Sequence, residues 1–347
     1  MGAAPHVTER VTLETVARQA GVSLATASRV LSNGQRVVNA ELRDRVLLAA
    51  SELRYIPNVH AQALAGASPH TVGVILHDVT DPYFAGIAGG IMRVAHDHGL
   101  LVMMASTFRD PEREVAYVSA LHAQRARAIL LIGSGFEDRS YLRRMTAELR
   151  AYQNTGGRVA CVSNHSRLPA DVVAPNNAQG AADLADTLLD MGHTRFAVVT
   201  GPSVLTTVKD RLSGFSGRLN DAGVALPETH RVSGDFTRDG GYAAMTELLG
   251  RGLDITAVFV LNDAMAIGAL SACRDTGVRV PDDLSLAGFD DIPIVRDLDP
   301  PLTTVHLPLS QLGAEAMALA LDKPAARRRT RRISGEVIVR ASTAYHR

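Results

Sequence analysis

Residues 12–33 read TLETVARQAGVSLATASRVLSN, and their spacing sets out two short helices joined by a tight turn. Leu13, Val16, Ala17 and Ala20 recur at helical intervals and share one apolar face. Gly21 stops that helix, because glycine takes positive φ at little cost; the chain can then turn sharply and tuck Val22 between two helices. Ser23 is placed to cap a second helix, which turns Ala27, Val30 and Leu31 inward and leaves Leu24, Ala25, Ser28 and Arg29 on its N-terminal and outer side. This is helix-turn-helix geometry. A third helix begins at Asn39 as N-cap and is expected to end before Pro57, with Leu42, Val46, Ala49, Ala50 and Leu53 inward. Residues 1–66 carry seven arginines against five acids, a net charge of +2, so the basic bias is modest.

Near residue 68 the pattern changes. For nearly 280 residues, apolar runs of strand length alternate with segments of helix length: VGVILH from Val72, LLVMMAS from Leu100, AILLI from Ala128, VACVS from Val159, FAVVT from Phe196, AVFVL from Ala257 and LSLAGF from Leu284. Continuous apolar runs followed by helices indicate parallel strands covered on both faces, in repeated βαβ units. These units exceed one ordinary open sheet. Residues 171–177, DVVAPNN, read as a polar break near the middle, so two doubly wound subdomains with a cleft between them are expected. The arginine-rich residues 327–332 read as a solvated connector before the final strand.

Composition excludes several classes. The 347 residues hold 36 basic and 36 acidic side chains, with 46% hydrophobic and 21% charged, which argues against wholesale disorder and coiled coil. No run of about 18 apolar residues is present to span a membrane, and the first residues lack the basic start and apolar stretch of a secretory signal. A cytoplasmic protein, associated with the nucleoid through DNA, is the expectation. Cys161 and Cys273 are too few for a disulfide framework and are expected as reduced, buried thiols. The first strand is not followed by GxGxxG, and no GxSxG, HExxH or P-loop occurs, which disfavours an enzyme. A sugar-binding transport protein shares the expected two-lobed architecture, but the attached helix-turn-helix counts against it.

The residues quoted above, followed by ELRYIPN at 52–58, AQALAG at 61–66, DPYF at Asp81, GH at Gly192, GP at Gly201, RLSGF at Arg211, NDAMAIGA at Asn262, VPDDLSLAGFDDIP at Val280, PPLTTV at Pro300 and VRASTA at Val339, form an ordered set. It resembles the lactose-repressor (LacI/GalR) family over almost the whole chain. The resemblance implies an α/β fold class: an N-terminal three-helix helix-turn-helix headpiece plus a two-lobed, periplasmic-binding-protein-like domain of two doubly wound parallel sheets. The implied boundaries are 1–57 for the headpiece, 58–69 for a hinge helix and linker, and 70–347 for an effector-binding and dimerisation domain. Lobe 1 would span about 70–173 and 304–333, and lobe 2 about 174–303 and 334–347. The implied function is that of a sequence-specific transcriptional regulator, a repressor, acting as a homodimer on a near-palindromic operator under control of a small-molecule effector, a sugar being the commonest in the family. No catalytic residue, cofactor or metal is implied.

Site residues follow from the same resemblance. The helix after Ser23 would enter the major groove, with Arg29 donating to a guanine or a phosphate and Leu24 and Ala25 offering contact to thymine methyls or shape. Thr12, Ser23, Thr26 and Ser28 suit phosphate contact or helix capping. In the hinge, Asn58 and His60 lie beside the DNA and Leu64 would wedge into a minor-groove base step, unless it packs on the effector domain instead. In the cleft, Arg211, Asp290 and Asn262 would bind effector hydroxyls, Phe236 would stack on the ligand, Phe84 and Ser134 would come from the other lobe, and His306 would be a polar cleft residue. Asn164 and His165 stand where a charged or polar residue is frequent in the family.

Overall fold

The structure, a computed structural model, describes residues 11–31, 39–56, 70–165, 167–323, 325 and 327–346. The chain divides into two compact units at residues 69 and 70.

In the first unit, helix α1, Leu13–Ala20, is closed at its N-terminus by a reciprocal cap between Thr12 and Thr15. Gly21 ends it in the left-handed region at φ 63°, a conformation that strains any side chain; a Cβ here would also lie 2.6 Å from Arg45 Nη2. Helix α2 spans Leu24–Leu31 and helix α3 spans Ala40–Glu52, the latter capped by Asn39 Oδ1, which accepts from the Glu41 amide at 2.9 Å. Val16, Ala17, Ala20, Ala27, Val46, Ala49 and Ala50 form the buried core. Helix α3 stops earlier than Pro57 alone dictates. Arg54 takes positive φ, and the chain turns back so that Tyr55 packs on that core.

The second unit contains two parallel sheets. Strands β1, Thr71–Leu76, β2, Leu101–Ser106, β3, Ala128–Ile132, β4, Arg158–Val162, and β5, Asp171–Pro175, join a late strand, β11, Thr330–Ile333, in the order β11-β5-β4-β3-β1-β2. This is lobe 1. Lobe 2 holds β6, Phe196–Thr200, β7, Arg231–Ser233, β8, Ala257–Val260, and β9, Ser285–Ala287, in the order β7-β6-β8-β9. Strand β10, Thr304–His306, pairs antiparallel with β12, Glu336–Ile338, where the chain passes back and forth between the lobes. Cys161 and Cys273 are free and buried.

Three sequence expectations need correction. Residues 171–177 are no break: Val172, Val173, Ala174 and Pro175 are buried in β5, and the polar residues Asp171, Asn176 and Asn177 stand at and beyond its ends. The arginine-rich stretch is not merely a connector either. Arg329 donates twice to Asp171, through Nε at 3.0 Å and Nη2 at 2.6 Å, and delivers β11 to the edge of the sheet. Its outward-facing side chains gave no apolar signal. Strand β2, apolar throughout, is an edge strand whose Leu101 is 66% exposed, so its composition does not report burial on both faces.

Helix α4, Pro82–Asp97, and helix α11, Leu309–Leu321, pack backbone to backbone within lobe 1. The reason is two glycines: a Cβ on Gly90 would fall 1.9 Å from the Ser310 carbonyl oxygen, and one on Gly313 would fall 1.9 Å from that of Ile87. Gly313→Ala is therefore expected to destabilise the second unit by about 1–3 kcal/mol, read from its urea midpoint. An unchanged midpoint would mean the helices part freely. A second expectation concerns Glu114, buried on helix α5, Pro111–Ala123, and accepting from the Tyr141 hydroxyl at 3.1 Å. Burial pushes its carboxyl up to about 7. A folded-state value above the unfolded one contributes stability that is complete below the unfolded value and is lost as pH rises through about 7. Glu114→Gln should flatten that decline when urea midpoints are compared across the range, whereas parallel curves for the two proteins would sink the assignment.

Candidate functional site

The carboxyl ends of the strands in both lobes face one cleft, as expected where open parallel sheets build a ligand site. The cleft holds a narrow cavity of about 30 Å³. Lobe 1 contributes His77 after β1, Asp81 and Phe84 at the start of α4, Arg109 after β2, and Gly133 and Ser134 after β3. Lobe 2 contributes Thr207 and Arg211 from helix α8, Thr206–Asp221, together with Phe236, Asn262 and Asp290. Six residues singled out from sequence, Phe84, Ser134, Arg211, Phe236, Asn262 and Asp290, thus line a single cavity.

Arg211 is 1% exposed, so each of its donors needs an acceptor. Nε donates to Asn177 Oδ1 at 3.0 Å, Nη1 to the Leu261 carbonyl at 2.6 Å and Nη2 to Asp290 Oδ1 at 2.6 Å. Its guanidinium carbon also sits 3.8 Å from the Phe289 ring centroid. Asp290 is held with φ 117°, and its amide donates to the Val305 carbonyl at 2.9 Å. Burial pushes its carboxyl up to about 6, with the Arg211 charge pulling the other way.

Around this pair the supports are specific. Asn262 caps helix α10, Asp263–Thr276, accepting from the Met265 amide at 2.9 Å. Phe236 reaches the cleft because residue 201 is glycine: a Cβ there would lie 1.8 Å from the ring. Across the cleft mouth, Arg109 Nη2 donates to the Phe236 carbonyl at 3.3 Å with its guanidinium 5.7 Å from the Phe236 centroid, and Gly135 N donates to Thr206 Oγ1 at 3.1 Å. His77 is buried against Phe84 and Phe136; burial first, then the charge of Arg109, lowers its pKa to about 3, so the ring is neutral.

His306 is not part of the cavity lining. Its Nδ1 lies 3.0 Å from Asp291 Oδ2, and Asp291 also accepts from Arg340 Nη2 at 2.7 Å and Arg296 Nη2 at 2.9 Å. The acid next to Asp290 has drawn the imidazole to itself. Conversely, His77, Asp81, Arg109 and Thr207 line the cavity and were missed. Asp81 stands in the quoted DPYF, and His77 and Arg109 each follow a strand end, which is the positional signal that could have found them. Among the described residues, no cluster of His, Cys, Asp and Glu could hold a metal.

On the headpiece, Ser23 Oγ accepts from the Thr26 amide at 3.2 Å and so caps α2, while Thr26 Oγ1 lies 2.9 Å from it and shares a hydroxyl–hydroxyl bond. Leu24, Ala25 and Arg29 are exposed and Ser28 is half-buried, while Thr12 caps α1. Asn58, His60 and Leu64 lie outside the described residues.

Comparison with known proteins bears on both units. The family described as bacterial regulatory proteins, lacI family, matches residues 12–58, and the periplasmic binding protein-like domain matches residues 185–343. The HTH-type transcriptional regulator GalS of Salmonella typhimurium is 36% identical over 318 residues, covering 90% of this chain and 89% of its own. The chain belongs to the LacI family. Another relative of this LacI-family regulator, the HTH-type transcriptional repressor CytR of Escherichia coli, is 33% identical over 96% of both chains. Among solved structures, the lac repressor dimer bound to operator and the anti-inducer ONPF matches 97% of this LacI-family chain and all of its own, with TM-score 0.83 and 27% identity. The transcriptional regulator CelR in complex with cellobiose matches 96% of the chain and all of its own, with TM-score 0.69 and 29% identity.

The Arg211–Asp290 pair sets the expectation for this site. Asp290→Ala leaves a buried guanidinium that cannot lose its proton, so it should cost about 3–5 kcal/mol in urea unfolding. A loss well under this would show that water reaches Arg211.

Proposed function

We infer that the chain is a repressor that binds a near-palindromic operator as a homodimer in the cytoplasm and releases or retains it according to a small polyol, a sugar, held between the lobes. The observation that carries this reading is the buried Arg211–Asp290 pair facing a cavity shared by two lobes, on a chain that also carries a helix-turn-helix headpiece. Arg109 and Arg211 balance Asp81 and Asp290 in the lining, so the cavity calls for a neutral ligand with many hydroxyls, and Phe236 and Phe84 offer it apolar faces. The cellobiose held by CelR is a ligand of that kind.

On the DNA side, Arg29 contacts a guanine or phosphate, Leu24 and Ala25 meet thymine methyls, and Thr12, Ser23, Thr26 and Ser28 combine capping with phosphate contact. Asn58, His60 and Leu64 act in the minor groove, Leu64 as the wedge. A two-fold operator asks for a two-fold protein. The sugar acts by favouring one relation between the lobes, and its leverage equals its differential affinity for the two relations.

The test is selection of genomic fragments by the purified full chain, alone and with a panel of sugars. Recovery of a palindromic site whose occupancy changes with one sugar is expected. Phe236→Ala should keep operator affinity and lose the sugar response. No enrichment of any site would overturn the regulator reading, and an unaltered sugar response in Phe236→Ala would overturn the assignment of the cleft.

A further inference from the structure

Lobe 1 has a second concavity at the opposite edge of its sheet from the effector cleft, where the parallel strands begin. Arg158 opens β4, Asp171 opens β5 and Arg329 precedes β11, and these three strands are neighbours in the order β11-β5-β4. Arg329 stands level with Asp171, which pairs with Ala160, so Arg158 begins β4 two residues further out at the same end of the sheet. They border a groove of about 510 Å³, within the size range of small-molecule sites. Arg327 and Arg328 complete its rim, and Val159, Ala170 and Leu319 supply an apolar floor.

The charge of this groove is not cancelled from within. Asp171 is the acid in the lining, and Arg329 occupies it fully: the Arg329 amide donates to Oδ1 at 2.7 Å, and Nε and Nη2 donate to Oδ2. Arg329 Nη1 takes Asp322 as well, at 2.8 Å. Among the described residues, Arg158 and Arg327 meet no carboxylate within ion-pair distance. Two guanidinium forks thus stand unclaimed beside an apolar floor, in a chain whose overall net charge is zero. Forks of this geometry pair with phosphoryl oxygens in bidentate fashion.

We propose that this groove is a second binding site, for a small molecule that joins two or more phosphoryl groups to a compact apolar or planar portion. The phosphoryl groups sit on Arg158 and Arg327, and the rest of the molecule lies on Val159, Ala170 and Leu319. A DNA backbone would use the arginines but has no need of a concave apolar floor, which is why the small ligand is the occupant. The site is independent of the sugar cleft, because it lies at the other end of the strands.

The test is calorimetric titration of the full chain with ADP, inorganic pyrophosphate and adenosine at physiological salt. ADP and pyrophosphate should each bind saturably at one site per chain, and adenosine should not bind. The double variant Arg158→Ala, Arg327→Ala should weaken both by about tenfold or more, the scale of one lost charge-assisted hydrogen bond. Its melting temperature should be unchanged, since neither side chain holds a carboxylate in the fold. Absence of saturable binding by ADP and pyrophosphate overturns the proposal, as does equal binding by the double variant. Loss of operator affinity in the double variant with no binding of either probe also overturns it, and assigns the arginines to DNA phosphates.

Discussion

A guanidinium removed from water has to be surrounded before anything else in the effector unit can be arranged, and Arg211 imposes that demand. Its partners come from three parts of lobe 2: Asn177 begins the helix after β5, Leu261 follows β8, and the segment after β9 supplies both the Asp290 carboxylate and the Phe289 ring. Leaving any acceptor out would strand a buried charge, which costs far more than a missing contact between neutral groups. The strand ends of lobe 2 are thereby fixed in register with one another. The same residues form one wall of the cavity, so the ligand site and the lobe's internal order share one set of bonds.

The headpiece solves a smaller problem with local means. Its three helices are too short to stand alone and are mostly small-residue packed, with alanine at five of the seven fully buried positions. Caps therefore carry weight: Thr12 with Thr15, Ser23 with Thr26, and Asn39 each satisfy amides that a short helix leaves open. Arg45 adds a tie across the turn, donating to the Ala20 carbonyl at 2.5 Å. The exposed face of α2 is left free of structural duty at Leu24 and Ala25.

This difference explains what could be seen in the sequence. Helix starts and stops in the headpiece are written within three or four residues, and they were legible. Buried central strands such as β3 and β6 announce themselves as unbroken apolar runs. Strands β5 and β11 do not, because one is bounded by Asp171 and Pro175 and the other lies on an edge with its arginines in solvent. Arg211 and Asp290 are 79 residues apart, so no local pattern joins them; only likeness to a family brought them together before the structure did. The likeness marked His306 as a cleft residue but could not say that its ring bonds Asp291, since the position of a polar residue does not tell which neighbouring acid will take it.

The discontinuity of the lobes has a bearing on how the protein is made. The lobe 1 sheet lacks its outer strand until β11 arrives at Thr330–Ile333, and lobe 2 waits for Ser342, whose hydroxyl accepts from the Thr303 amide and donates to the Leu286 carbonyl. Neither lobe is complete until these late residues have been made. Among the described residues, the headpiece core is drawn from Val11 to Tyr55. Synthesis thus yields the DNA-reading module before the module that governs it, with β5 holding an open edge in between, a window in which chaperone binding or mispairing competes with completion of the sheet.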